Sequence, residues 1–313
     1  MSGSKPVSPK SASKPPARRS PVRLAALAEP AFAKINLTLR VTGRRADGFH
    51  LLESLVCFAA LADRVELHVG ARLELKVGGP TATDAGPDGE NLVLRAARAL
   101  QQRVPRLKLG RFTLTKRLPV GAGLGGGSAD AAAALRLLAQ ANKLPQDDPE
   151  LYEAARETGS DVSVCLASAT RWMSGTGHEL SAPVAMPKLF AVLVNPGIPL
   201  ATRDVYGALK APKVSEAAKF RPPALPNGRK EFLAFVAGLA NDLEPPAIKL
   251  APIVEVVLAT LRDQPACVLA RMSGSGSTCF AIFATRNAAK LAARTLTIRH
   301  PAWWVRDTEL GAS

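Results

Sequence analysis

Apolar and polar residues alternate along AFAKINLTLRVTG, with Ile35, Leu37, Leu39 and Val41 on one side, which predicts a half-buried strand. RRADGFH breaks the alternation, and Asp47-Gly48 within it is a turn signal. LLESLVCFAALADRVELHVG and RLELKVGG read as further strands, with a polar turn expected at Ala62-Asp63-Arg64. From Asn91 to Val104 the period lengthens, and Leu92, Leu94, Ala96, Ala99 and Leu100 form the apolar stripe of a helix. RFTLTKRLP is strand-like again and runs into PVGAGLGGGSADAAAA, residues 119–134.

Behind those glycines a helix is expected over Ser128–Ala141, then a linker holding Pro145 and Pro149, then a second helix near Leu151–Thr158. SDVSVCLAS, ATRWMSGTG and KLFAVLVNPG return to strand or loop character. The pattern changes near Met186–Lys188. Beyond it, helices over Glu231–Leu239, Ile253–Leu261 and Asn287–Leu296 alternate with strands in ACVLARMSGSG, STCFAIFAT and AWWVRD. No internal repeat is evident. This mixture predicts an α+β fold with two layers per domain, divided into a tail (1–28), a first domain (29–186) and a second (187–313).

Composition narrows the picture. The chain has 313 residues, 47% of them apolar, enough for a sizeable core and more naturally two domains than one. Lys and Arg outnumber Asp and Glu by 41 to 26, a net charge of +15. Six of those basic residues lie in the first 28 positions with no acid, in a Pro-, Ser- and Lys-rich stretch that lacks the apolar core of a secretory signal. It reads as a disordered, solvated tail. The remaining excess suits an anionic ligand without choosing between nucleotide and RNA. Cys57, Cys165, Cys267 and Cys279 show no paired spacing and sit among apolar neighbours, as reduced thiols in a cytoplasmic protein do. The four histidines are scattered, so no metal site is expected, and no run of about 18 apolar residues suggests a membrane span.

The glycine loop carries the chemistry. Gly121 to Gly126 matches GxGxxG, but no acidic residue ends a second strand at the required distance; Asp147 and Asp148 fall inside the proline-flanked linker. Gly121 to Ser128 also fits the P-loop GxxxxGK[ST] except at one place, where Gly127 stands for the lysine. A helix starting at once behind the loop, with Ser128 as cap or ligand, argues against a mere linker, since its free N–H groups face back into the glycines. The reading is a cradle of backbone amides for a nucleoside triphosphate, with its cation drawn from elsewhere in the chain.

PVGAGLGGGSADAAAAL resembles the central motif of the GHMP kinases, small-molecule kinases with an amide-rich phosphate loop. AKINLTL near the start is similar to that family's first motif, and MSGSGSTCFAIF near the end to its third. The resemblance covers residues 29–310. It implies a ribosomal-protein-S5-like N-terminal domain, a ferredoxin-like C-terminal domain, and an active site in the cleft between them. It also implies ATP bound by Pro119, Val120, Gly121, Ala122, Gly123, Leu124, Gly125, Gly126, Gly127, Ser128 and Ala129. Mg²⁺ is expected with the ATP, because the terminal phosphates need their charge neutralised; Ser128 is an oxygen ligand for it, and no carboxylate is assigned to it.

The same resemblance implies that Lys34 and Asp161, in TGSDVSV, are the catalytic pair. Asp161 would take or orient the hydroxyl proton, and Lys34 would keep Asp161 ionised and polarise the nucleophile. Asn36 lies two residues from Lys34, on the same strand face, where it can position a substrate. Within the family, GRRADGFH is similar to the members acting on a diphosphocytidyl-methylerythritol, which they phosphorylate at its 2-hydroxyl in the non-mevalonate route to isoprenoids. For these, His50 would hydrogen-bond the cytosine and Phe49, where tyrosine is common, would stack on it without a phenol hydroxyl. Tyr206 and Thr202, in IPLATRDVY, fall near a second stacking position, and Gly274, Ser275 and Gly276 would form a turn beside phosphates or substrate.

Two rivals stay open. Another kinase of this family, of the homoserine or mevalonate type, would share the loop but has no reason for GRRADGFH. A non-enzymatic RNA-binding protein would use the positive charge, and leaves the three spaced motifs unexplained. On the favoured reading the partners are ATP and the cytidine diphosphate substrate, with no nucleic acid, membrane or protein partner.

Overall fold

The structure, a computed structural model, describes residues 3, 26–82, 91–214 and 219–311. The tail expected over 1–28 lies almost wholly outside them, and the first strand already begins at Leu27. In chain order the elements are β1 (Leu27–Asn36), β2 (Arg40–Arg44), β3 (His50–Gly70), β4 (Glu74–Gly78), α1 (Leu92–Arg103), β5 (Leu109–Thr115), α2 (Gly126–Asn142), α3 (Pro149–Thr158) and α4 (Val162–Ala167). There follow β6 (Arg171–Gly175), β7 (Glu179–Leu180), β8 (Leu189–Asn195), α5 (Thr202–Leu209), α6 (Arg229–Ala237), α7 (Glu244–Leu250), α8 (Ile253–Arg262), β9 (Cys267–Met272), β10 (Cys279–Phe283), α9 (Arg286–Arg299) and β11 (Trp304–Leu310). The fold is α+β, as the patterning predicts.

β3 organises the first half. Its 21 residues pair antiparallel with β2 and β1 on one edge and with β6 and β5 on the other. β11, β8, β10 and β9 form the second group of strands, joined to β3 through the Leu310–Ala59 pairing. Side-chain alternation sorts these strands into layers. Leu189, Ala191 and Leu193 of β8 share an apolar core with Ile35, Leu55 and Cys57, while Val192 and Val194 pack with Val254, Val257 and Leu258 of α8. On the far side, α1 to α4 cover β3 and β5 through Leu100, Leu135, Leu138 and Phe112. The order is therefore helices, strands, strands, helices, and the middle core binds the two halves.

Two expectations are corrected. The turn expected at Ala62-Asp63-Arg64 is absent: β3 runs straight through, and Asp63 is 1% exposed. Its carboxylate takes N–H bonds from Arg117 and Leu118 and an ammonium bond from Lys116, partners 53 to 55 positions away that local polarity cannot reveal. SDVSVCLAS holds the helix α4, not a strand. Its valines favour strand, but Val162, Val164, Cys165 and Leu166 are all buried against the first core, and burial on every side overrides that preference.

The two halves also meet backbone to backbone. Gly123 has φ +75°, and a Cβ there would lie 2.4 Å from the Ser273 carbonyl oxygen and 2.9 Å from the Gly276 nitrogen. Ser273 Oγ donates to the Gly123 carbonyl at 3.1 Å, and the Thr278 N–H donates to that of Ala122 at 3.2 Å. Gly121 is left-handed too, at φ +62°, but faces open space. Gly121→Ala is expected to cost only the left-handed penalty of about 1–2 kcal/mol. Gly123→Ala adds displacement of the turn, for a loss of at least about 3 kcal/mol. Urea denaturation of the two variants measures the difference, and equal losses would rule out the close contact.

Candidate active site

The phosphate loop is shaped by its glycines. Gly121, Gly123 and Gly125 are left-handed at φ +62°, +75° and +61°, and α2 starts immediately after them. Left-handed residues set among right-handed ones curve successive N–H groups toward a common centre, and the free N–H groups at the start of α2 add to that concavity. Ala122 is not left-handed, so its methyl group is accommodated, and it is 5% exposed. Ser128 is not the helix cap. Gly125 occupies that position without a side-chain bond, which leaves the Ser128 hydroxyl in the first turn, on the wall of the cleft.

β1 supports the loop from the side. The Lys34 N–H donates to the Leu124 carbonyl at 2.8 Å, and a Cβ at Gly125 would stand 3.2 Å from Lys34 Cβ. The Lys34 ammonium then meets Asp161 Oδ2 at 2.6 Å. The two side chains differ in exposure, 6% for Lys34 and 30% for Asp161, so the carboxylate is the member open to a ligand. Asp161 stands at the start of α4, and its side chain caps no N–H there. That leaves the carboxylate free for the cleft.

The cleft encloses about 810 Å³, within the range of small-molecule sites. Lys34, Asp161, Asn36, Phe49, His50, Thr202, Tyr206, Gly274 and Ser275 all line it, together with Gly121 to Gly123 and Gly125 to Ser128. Pro119, Val120, Leu124, Ala129 and Gly276 do not. Pro119 and Val120 lead into the loop, Leu124 and Ala129 are buried, and Gly276 is backed against Met272. Their contribution is to the loop's shape.

On the chemistry side, Asn36 is 1% exposed; its amide donates to Ser54 Oγ at 2.8 Å while its Oδ1 has no partner. That acceptor is buried against the second glycine turn, where a Cβ on Gly274 would stand 3.3 Å from it. On the far side, the His50 and Tyr206 rings lie 4.8 Å apart at 36°, and Phe49 is 62% exposed. Tyr206 and Thr202 are one turn apart on α5, and Thr202 Oγ1 bonds Ser275 Oγ at 2.9 Å, tying the helix to the second glycine turn. Burial, and next the Arg44 charge, lower the His50 pKa, so the ring is neutral at pH 7 and offers one donor and one acceptor. Burial, and then Asp161, raise the Tyr206 phenol, which stays protonated.

Sequence reasoning missed Arg44, Arg203, Ser160 and Thr176, which also line the cleft. GRRADGFH offers two arginines, and only the fold separates them: Arg45 pairs with Asp47 at 2.8 Å, while Arg44 sits on the wall. Among the described residues, no group of three or more His, Cys, Asp or Glu is placed to hold a metal ion, and no helix is long and apolar enough to cross a membrane.

The chain is similar to known proteins along most of its length. The family model described as GHMP kinases N terminal domain matches residues 91–169, and that described as GHMP kinases C terminal matches residues 228–302. A 4-diphosphocytidyl-2-C-methyl-D-erythritol kinase of Xanthobacter autotrophicus is 56% identical over 283 residues, covering 89% of this chain and 97% of the relative. Among solved structures, a 4-(cytidine 5'-diphospho)-2C-methyl-D-erythritol kinase is 32% identical with a TM-score of 0.71, over 92% of this chain and all of that one. A homoserine kinase from Cytophaga hutchinsonii shares the fold, with a TM-score of 0.64 at 18% identity over 93% of this chain and 96% of its own. The chain belongs to the GHMP kinases and, among them, to the 4-diphosphocytidyl-2-C-methyl-D-erythritol kinase family.

Proposed function

We propose that this chain transfers the γ-phosphoryl group of ATP to the 2-hydroxyl of 4-diphosphocytidyl-2-C-methyl-D-erythritol, giving the 2-phosphate and ADP, in the non-mevalonate route to isoprenoid precursors. The observation that carries the reading is the Lys34–Asp161 pair at 2.6 Å, with its half-open carboxylate beside a loop of left-handed glycines.

In this mechanism the amides of the loop and of the first turn of α2 hold the phosphates. Asn36, on the cleft wall beside Lys34, helps turn the substrate toward Asp161. Asp161 orients the 2-hydroxyl and receives its proton as the oxygen bonds to the γ-phosphorus, while the bond from that phosphorus to the β-phosphate bridging oxygen breaks and ADP leaves. Lys34 anchors Asp161 through their ion pair and places positive charge beside the moving phosphoryl group, the place a P-loop lysine would otherwise fill. His50, Tyr206 and Phe49 receive the cytosine, the neutral His50 ring matching a base edge that both donates and accepts.

Magnesium belongs to the proposal as an ion carried by the nucleotide, where it neutralises phosphate charge. The donors present fit that role: the Ser128 hydroxyl on the cleft wall, and no three-carboxylate cage among the described residues. We place the reaction in a reducing, cytoplasmic setting, in keeping with four free cysteines, three of them buried.

A coupled assay of ADP release with the cytidine compound tests the reading directly. Turnover of homoserine or mevalonate without turnover of the cytidine compound would overturn it. Asp161→Asn and Lys34→Met are each expected to lower kcat by about 10²–10⁴-fold, the usual worth of general-base help. Values within about tenfold of wild type would remove the pair from the chemistry. The pH dependence has a definite sign. Because the His50 pKa lies below 6.5, the ring keeps its acceptor at neutral pH and loses it only on further acidification. The KM for the cytidine compound should therefore rise on the acid side in wild type, and the rise should be absent in His50→Gln.

A further inference from the structure

A buried ionic cluster lies behind the glycine loop and takes no part in the transfer just described. The Lys116 ammonium donates to Asp63 and, at 2.7 Å, to Asp130 Oδ2. The three side chains are nearly sealed from water, at 4% exposure for Lys116, 0% for Asp63 and 4% for Asp130. They come from three places: Asp63 from the middle of β3, Lys116 from just after β5, and Asp130 from the second turn of α2. Lys116 and Asp130 thus flank the loop in sequence, and their ion pair closes its base. Asp63 holds the entry limb as well, by accepting the N–H groups of Arg117 and Leu118. A Cβ on Gly126, the first residue of α2, would stand 3.5 Å from Lys116 Nζ, so the cluster lies directly behind the start of that helix.

Stability alone is a poor reason for this arrangement. Burial opposes the Lys116 charge, although Asp130 and then Asp63 outweigh it and hold the ammonium above its ordinary value. Burial is also the largest influence on Asp130, whose pKa is pushed up to about 7, with Lys116 pulling the other way. Asp130 Oδ1 has no hydrogen-bond partner at all. Replacing such a cluster with apolar groups of the same volume is often neutral or stabilising. What apolar groups cannot do is fix two chain segments by a directed bond.

We propose that Lys116 and Asp130 are positioning residues for ATP, their bond closing the base of the glycine loop so that its amides already point inward before the nucleotide arrives. The proposal rests on reading the loop as the phosphate cradle. Fixing a residue's backbone costs conformational entropy, and a loop with three left-handed glycines has much to fix. Restraint set in the free protein removes that cost from the binding step. The Lys34 N–H and the turn at Ser273–Thr278 already hold the middle of the loop, through Leu124, Ala122 and Gly123. The ion pair holds its two ends.

Asp130→Leu cuts the bond while leaving Lys116 paired with Asp63, so no unbalanced charge is buried. Asp130→Asn keeps an oxygen that accepts from the ammonium. Binding of adenylyl imidodiphosphate in magnesium buffer, measured by calorimetry, reads the effect without any alcohol substrate. The leucine variant is expected to bind about tenfold more weakly, equivalent to about 1.4 kcal/mol, with the asparagine variant within about twofold of wild type. The KM for the cytidine compound should stay within about twofold in both. A folded leucine variant with wild-type affinity, or an asparagine variant as weak as the leucine one, would overturn the proposal; Asp130→Ala is a second cut of the same bond, read in the same way. Wild-type protein that fails to bind the analogue would overturn the reading of the loop and this proposal with it. Failure of the cytidine compound as a substrate would leave the nucleotide result standing.

Discussion

The cleft depends on two glycine turns that touch through their backbones. Gly123 comes so close to Ser273 and Gly276 that no side chain fits between them, and bonds from Ser273 Oγ and the Thr278 N–H fix the contact. One of these turns lies between β5 and α2, the other between β9 and β10. Loop amides and the second turn are therefore set in one frame, although 150 positions separate Gly123 from Ser273. The contact needs a rigid background, which the apolar core shared by β1, β3, β8 and β10 supplies. Without that core the turns would be two flexible loops, and preorganisation of the amides would be lost.

Two lysines stand near the glycine loop in opposite environments. Lys34 reaches a carboxylate that is 30% exposed, so water or substrate can share Asp161. An ion pair open to solvent on one side adds little to folding. The Lys116 ammonium is enclosed by two carboxylates at 0% and 4% exposure. Removing it would leave buried acids without their counter-charge, a loss of about 3–5 kcal/mol. The loop has Gly127 where a P-loop carries lysine, and two lysines stand around it instead, Lys34 on the cleft wall and Lys116 behind the glycines.

Much of this was legible in the chain because the signals were local. Glycines at 121, 123 and 125 announce left-handed backbone, and alternation around Ile35 announces the strand that carries Lys34. The parts that were not legible are non-local. Asp63 looks like a turn residue unless Lys116, Arg117 and Leu118 are known to lie beside it. The valines after Asp161 look like a strand until burial on α2 and β1 makes them a helix. Arg44 and Arg45 are alike in sequence, and only the packing of the 44–50 turn directs one to the cleft and the other to Asp47. Resemblance to a known family supplied Asp161, whose role in isolation nothing in its neighbours reveals.

Recognition and reaction are separated within the one cleft, and their supports differ accordingly. The loop side rests on the backbone geometry of its glycines and on the Lys34–Asp161 pair beside them. The aromatic side rests on three side chains: Phe49 in the turn before β3, His50 at the start of β3, and Tyr206 on α5. α5 is in turn tied to the second glycine turn by the Thr202–Ser275 bond, so the aromatic pocket takes its distance from the phosphates through that turn. Solved structures of a homoserine kinase and of a 4-(cytidine 5'-diphospho)-2C-methyl-D-erythritol kinase share this fold, so the fold by itself does not choose the alcohol. In this chain that side carries the His50 ring beside that of Tyr206, its pKa lowered by burial and then by the Arg44 charge, and the glycine turns set its distance from the loop.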